Sequence, residues 1–156
     1  MISMLNLDMN PGGIYGLLGA NGTGKSTLLY LISGLLKPQH GTVEFDGCNT
    51  MLRLPHSLSD IFLVAEEFEV PAIMLEEFVR LNAKFYPKFS QEQMNIYLEH
   101  FRLTPDIHLG HLSMGQRKKA FIAFALACNT RLLLMDEPTN GMDIPGKAEF
   151  RRAIVS

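Results

Sequence analysis

The spacing of apolar and polar residues changes period several times along this chain, and each change marks a predicted element. Residues 4–9 alternate in twos (Met4, Leu5, Asn6, Leu7, Asp8, Met9), as a half-buried strand does. Asn10, Pro11, Gly12 and Gly13 make a turn. Ile14, Tyr15, Gly16, Leu17 and Leu18 give a second strand that runs straight into a glycine-rich loop. From Ser26 to Leu36 the pattern predicts a buried helix, stopped near Lys37 and Pro38. Thr42, Val43, Glu44 and Phe45 alternate again before a turn at Asp46 and Gly47, and Ile61, Phe62, Leu63 and Val64 form a short buried strand.

The middle of the chain reads as helical. After Pro71, the residues Met74, Phe78, Leu81 and Phe85 fall at helical spacing, and Pro87 closes the segment. Ser90, three residues ahead of Gln93, opens the next helix with a capping box, and Met94, Tyr97, Leu98 and Phe101 share one face. Ser113 and Gln116 repeat that spacing before a helix running from about Met114 to Cys128. Leu132, Leu133, Leu134 and Met135 are an unbroken apolar run ending at Asp136, the pattern of a central parallel strand. Pro145 suits the first turn of a final helix. The order of elements predicts an α/β architecture with a helical insert.

Composition narrows the function classes. At 156 residues the chain is about one domain. With 47% apolar and 19% charged residues it is no disordered polymer. A net charge of −2 argues against nucleic acid as a partner. The longest apolar run spans 120–128, nine residues where a membrane-crossing helix needs about 20. No Lys or Arg precedes Lys25, so no basic region of a secretory signal is expected. Cys48 and Cys128 have no framework spacing, which points to a reducing cytosol.

Two stretches carry chemistry. Gly19, Ala20, Asn21, Gly22, Thr23, Gly24, Lys25 and Ser26 fit G-x-x-x-x-G-K-[ST] between a predicted strand and a predicted helix. Glycines let backbone N–H groups turn inward around phosphate oxygens, and the helix start adds unpaired N–H groups. Lys25 reaches the β- and γ-phosphates, and the Ser26 hydroxyl is a hard oxygen for Mg²⁺. Asp136 and Glu137 stand at the carboxyl end of an apolar strand, where an α/β sheet receives its ligand. Asp136 suits the hydration shell of Mg²⁺, and Glu137 suits the polarisation of an attacking water. A third stretch, Ser113 with Gln116, caps a helix. The cap explains those two residues but not Gly115, which costs stability in a first turn and is expected to admit the close approach of a phosphate.

These residues together resemble the nucleotide-binding domain of ABC (ATP-binding cassette) transporters. Residues 19–26 resemble Walker A, and 132–137 resemble Walker B with its glutamate. Leu112, Ser113, Met114, Gly115 and Gln116 are similar to the family signature LSGGQ, and Thr139, Asn140, Gly141, Met142 and Asp143 resemble the D-loop. The resemblance implies a P-loop core with a mainly parallel sheet, N-terminal antiparallel strands and an inserted helical subdomain. The core would take residues 1–66 and 129–156, and the helical signature subdomain 67–128.

The resemblance also implies ATP with Mg²⁺, held through Asn21, Gly22, Thr23, Gly24, Lys25, Ser26 and Thr27. Ser26, Asp136 and Glu66 would serve the metal, and Glu137 with Lys25 the hydrolysis. Ser113, Gly115 and Gln116 would meet the γ-phosphate on a second nucleotide-binding domain, across a two-fold sandwich in which Asp143 links the two sites. A transmembrane permease would be the other partner, which places the subunit on the cytoplasmic face of a membrane. The 85–89 stretch and the basic Arg117, Lys118 and Lys119 resemble the ABC-2 exporter branch.

The sequence departs from the family in two respects. Glu66 stands where the Q-loop has glutamine, adding a negative charge beside the γ-phosphate. The resemblance also puts the adenine-stacking aromatic before Met1 and the switch histidine after Ser156, so the sequence is expected to be trimmed at both ends. Tyr15 lies too close to the loop to stand in for the aromatic. His108 and His111 read as solvated loop residues in preference to a zinc pair. A rival function follows from those departures: a nucleotide-responsive module with little catalysis.

Overall fold

The computed structural model describes residues 5–155 and divides into two compact units between Leu58 and Ser59.

In the first unit, α1 (Lys25–Ile32) is preceded by Gly24 in the left-handed region at φ 97°. It ends in a Schellman motif. Gly34, at φ 71°, donates its N–H to the Leu31 carbonyl at 3.2 Å, and Leu35 donates to that of Tyr30 at 2.9 Å. The expected helix over 26–36 is therefore shorter at its carboxyl end, because Gly34 reverses the backbone before Lys37 and Pro38 can act. A two-residue hairpin follows, with β1 (Glu44–Phe45) antiparallel to β2 (Cys48–Asn49). Asp46 (φ 54°) and Gly47 (φ 74°) both take positive φ, as its tight primed turn requires. A 3-10 turn, Thr50–Leu52, is capped by Asn49, whose Oδ1 accepts from the Met51 N–H at 2.9 Å. The short α2 (Pro55–Leu58) closes the unit. Thr50 ties these parts together. Its N–H donates to the Val43 carbonyl at 3.0 Å, and its own carbonyl sits where a side chain on Gly34 would have to go, 2.3 Å from that Cβ position.

The strands expected over 4–9 and 14–18 are not formed among the described residues, and Met4 lies outside them. The antiparallel pair is β1–β2 instead. Alternation marks a face but supplies no neighbour, and a strand is a paired state. Without a ladder the apolar face stays open: Ile14 is 74% exposed and Leu18 94%.

The second unit holds the hydrophobic core. β3 (Ile61–Val64) and β4 (Leu132–Met135) pair in parallel, with Ile61 opposite Leu132 and Val64 opposite Met135. Both had been expected from unbroken apolar runs, which suit strands covered on both faces. Between them lie α3 (Leu75–Asn82), α4 (Gln91–His100) and α5 (Met114–Ala127), and α6 (Ile144–Val155) follows. The Ser90 side chain accepts from the Gln93 N–H at 3.2 Å, so α4 starts at its expected cap. α5 is the central helix, burying Ala120, Ile122, Ala123, Phe124, Ala125 and Ala127. Phe124 is 2% exposed, and its ring lies 5.3–6.1 Å from those of Phe62, Phe78, Tyr86 and Phe89. Such tilted and edge-on pairs add to the stabilisation from burial alone. The helical segment thus packs in the same unit as β3 and β4.

Candidate functional site

The glycine-rich loop of the first unit is built by backbone geometry. Gly22 (φ 79°) and Gly24 (φ 97°) take conformations that an L side chain resists. Thr23 braces the turn by donating its Oγ1–H to the Ala20 carbonyl at 2.8 Å. The Lys25 ammonium folds back along the loop and donates to the carbonyls of Gly19 (2.9 Å) and Ala20 (3.1 Å). Asn21, Gly22, Thr23, Gly24 and Lys25 thereby lie on one turn, and Ser26 and Thr27 follow in the first turn of α1. The helix starts with no side-chain cap, an arrangement that suits an anion at its amino end.

The second unit brings together a different set. The Asp136 N–H extends the β3–β4 pairing by donating to the Val64 carbonyl at 2.8 Å. The Asp136 side chain is buried, and its Oδ2 has no hydrogen-bond partner among the described residues. A buried carboxylate oxygen without a donor is costly. Glu137 follows at φ 42°, in the left-handed region. Its carbonyl accepts from the Asn140 N–H at 3.0 Å and from the Lys118 ammonium at 3.0 Å. The side chain of Asn140 donates to Glu66 Oε1 at 2.8 Å, which joins the expected Q-loop position to the expected D-loop within one chain. Burial pulls the Lys118 ammonium below the usual lysine range, and the carboxylates of Glu66, Asp136, Glu137 and Glu67 pull it back up.

Ser113 and Gln116 form the expected capping box at the start of α5. Gln116 N–H donates to Ser113 Oγ at 3.3 Å, and Gln116 Oε1 accepts from the Ser113 N–H at 3.0 Å. Gly115 has a cause that the sequence reading did not foresee. A Cβ there would stand 2.8 Å from the backbone oxygen of Gly141, so the close approach is made by the chain's own D-loop segment. Asp143 Oδ1 accepts from the Gly146 N–H at 2.9 Å and so caps the start of α6.

Four charged residues have contacts that the sequence reading does not assign. Lys118 and Lys119 had been read only as a basic run after the signature. Lys118 is in fact 2% exposed, and Lys119 donates to the buried Glu149 carboxylate at 2.7 Å, with Arg102 at 3.4 Å from its other oxygen. The signal was there: Gly115, Lys118, Ile122 and Ala125 recur at helical spacing on one face of α5. The His108 and His111 rings stack at 4.4 Å, and His108 Nδ1 accepts from the Gly110 N–H. No helix among the described residues is long and apolar enough to cross a membrane.

Comparison with known proteins covers nearly the whole chain. The ABC transporter family model matches residues 2–140. An uncharacterised ABC transporter ATP-binding protein of Bacillus subtilis, YdbJ, is 33% identical over 154 residues, which are 97% of this chain and 50% of that protein. The bacitracin transport ATP-binding protein BcrA of Bacillus licheniformis is 34% identical over 161 residues, 99% of this chain and 52% of its own. Among solved structures, the dimeric bacterial ABC transporter cassette MJ0796 superposes with a TM-score of 0.81 at 26% identity, over 95% of this chain and 70% of that one. The chain thus spans about half the length of the curated relatives it matches.

Proposed function

The chain belongs to the ABC transporter family, and on that premise we propose that it is an ATP-binding subunit that binds and hydrolyses MgATP, in a two-fold sandwich with a second nucleotide-binding domain, to drive transport by a transmembrane permease. The observation that carries this reading is the pair at the end of β4. Asp136 offers a buried carboxylate oxygen with no donor among the described residues, which suits a hydrated Mg²⁺, and Glu137 stands next to it in the chain.

The roles follow from the chemistry of each group. Backbone N–H groups of Asn21, Gly22, Thr23 and Gly24, with those of Ser26 and Thr27, hold phosphate oxygens. Lys25 exchanges its two loop carbonyls for the β- and γ-phosphates. Ser26, Asp136 and Glu66 would serve Mg²⁺, which when bound would offset the charge of the phosphate oxygens. Glu137 accepts a proton from the attacking water. Ser113, Gly115 and Gln116 present the start of α5 to the γ-phosphate on the second domain, and Asp143 links the two sites. Residues 1–66 and 129–156 serve as the nucleotide core, with 67–128 as the helical signature subdomain.

Glu66 in the Q-loop position slows turnover or alters the metal preference, since a carboxylate adds negative charge there. Glu66→Gln keeps an acceptor for Asn140, so a faster rate in that variant supports the charge argument and an unchanged rate opposes it. The subunit acts on the cytoplasmic face of a membrane without nucleic acid, and the permease selects the substrate. Assignment to the ABC-2 exporter branch rests on residues 85–89 and 117–119.

The test is MgATP hydrolysis by the 156-residue chain at rising protein concentration, with Glu137→Gln as control. A rate growing as roughly the square of concentration, and lost in the control, supports paired composite sites. Binding without multiple turnover supports the rival reading, a nucleotide-responsive module.

A further inference from the structure

We propose that Lys118 is a positioning residue for Glu137, fixing the backbone from which the general base projects. The proposal rests on the assignment of Glu137 as that base. A lysine that is 2% exposed is uncommon and unfavourable unless its ammonium has partners. Here the Nζ donates at 3.0 Å to the Glu137 carbonyl, one peptide unit from the group whose direction matters.

Glu137 needs such a hold. Its φ of 42° belongs to the left-handed region, which is unfavourable for a residue bearing a Cβ. Conformations of that kind persist where surrounding contacts over-determine them. Three contacts do so. The Asp136 N–H is held by the Val64 carbonyl at 2.8 Å on the near side. The Asn140 N–H closes a turn onto the Glu137 carbonyl at 3.0 Å on the far side. Lys118 holds that same carbonyl from α5. One helical turn earlier, Gly115 rests against the Gly141 carbonyl, so α5 grips the segment at both ends. Without the ammonium, the carbonyl loses one of the two bonds described for it, and rotation of the peptide toward the right-handed or extended region becomes easier. That rotation changes the direction in which the Glu137 side chain leaves the backbone.

The experiment uses the full chain. Lys118→Met keeps most of the alkyl stem and removes the donor. The expected result is MgATP affinity within about twofold of the parent and a turnover rate lower by roughly a hundredfold, the scale of a reacting group displaced by about 1 Å. Lys118→Arg, which restores a donor, recovers part of that rate. In a Glu137→Gln background, Lys118→Met produces no further loss, because both changes remove the same function. Amide exchange at Asn140 accelerates in Lys118→Met, a readout that needs no hydrolysis.

Parental turnover in Lys118→Met overturns the proposal. So does loss of folding in both Lys118→Met and Lys118→Gln, which assigns the lysine to the core alone, and so does unchanged exchange at Asn140. A parent chain that binds MgATP without turning it over sinks the catalytic reading instead, while the exchange measurement still reads the grip on Glu137.

Discussion

The two compact units solve opposite problems. The first carries the glycine-rich loop expected to cradle phosphate and buries none of its described apolar side chains; its buried described residues are Ser33, Gly34, Thr50 and Ser57. The second encloses a dense aromatic core around Phe124 and sets Asp136 and Glu137 at the end of a paired strand. A phosphate cradle is made of backbone dihedrals and can be written in eight consecutive residues. A positioned acid needs a sheet partner, a turn and a cation from a distant helix, and those arise only from packing. Local chemistry and global chemistry therefore place different demands on one chain, and substitutions separate the two.

The largest effect is expected at the core. Phe124→Ala removes a ring that meets four others and should destabilise the second unit by about 3–5 kcal/mol in urea unfolding. The comparison sharpens if the hairpin and loop of the first unit keep their amide-exchange pattern, and breaks if both units melt together.

Alkali tests the core a second way. Burial raises the Cys128 thiol from 9.0 to about 12 and the Tyr86 phenol from 10.0 to about 12. Both groups bind protons more tightly when folded, so their stabilisation is complete below pH 9 and lost as pH rises through 9 to 12. The expected loss is on the order of a few kcal/mol, read as a falling urea midpoint. In Cys128→Ala the decline should begin nearer pH 10 than pH 9.

Next in size is Lys25→Ala, which removes charge-assisted bonds worth about 1.5–3 kcal/mol and so weakens MgATP binding by roughly ten- to a hundredfold, with the urea midpoint unchanged. A lowered midpoint would show that the lysine's hold on Gly19 and Ala20 supports folding as well. The smallest effect is expected from Ser113→Ala, which breaks the capping box and should cost about 1 kcal/mol of stability. Ser113→Asp retains the cap and should restore it.

What could be read in advance follows the same division. β3, β4, both serine caps and the loop glycines were legible because each depends on adjacent residues: an unbroken apolar run, a hydroxyl three residues before an amide, a positive φ. The strands expected over 4–9 and 14–18 depend on neighbours that alternation does not name, and they did not form among the described residues. The end of α1 was misplaced although Gly34 was in plain view, because Pro38 looked the stronger stop. Lys118 and Glu149 were passed over because charge suggests solvent, and only packing reveals that α5 carries one inward and α6 the other. Family membership was legible from four short motifs in order, which needed no packing at all.

The contact of Gly115 with the Gly141 carbonyl bears on how such sequences are interpreted over evolutionary time. A glycine within a nucleotide motif invites the inference that its loss marks a dead enzyme and its retention a working one. Here any larger residue at 115 would press on the chain's own backbone, so a descendant that had abandoned ATP altogether would still be held to glycine by the need to fold. At this position, retention testifies to architecture and says nothing of activity. Glu137 is the opposite case, since its φ of 42° lies in the region that favours glycine and its acid is therefore the residue to compare when activity is in question.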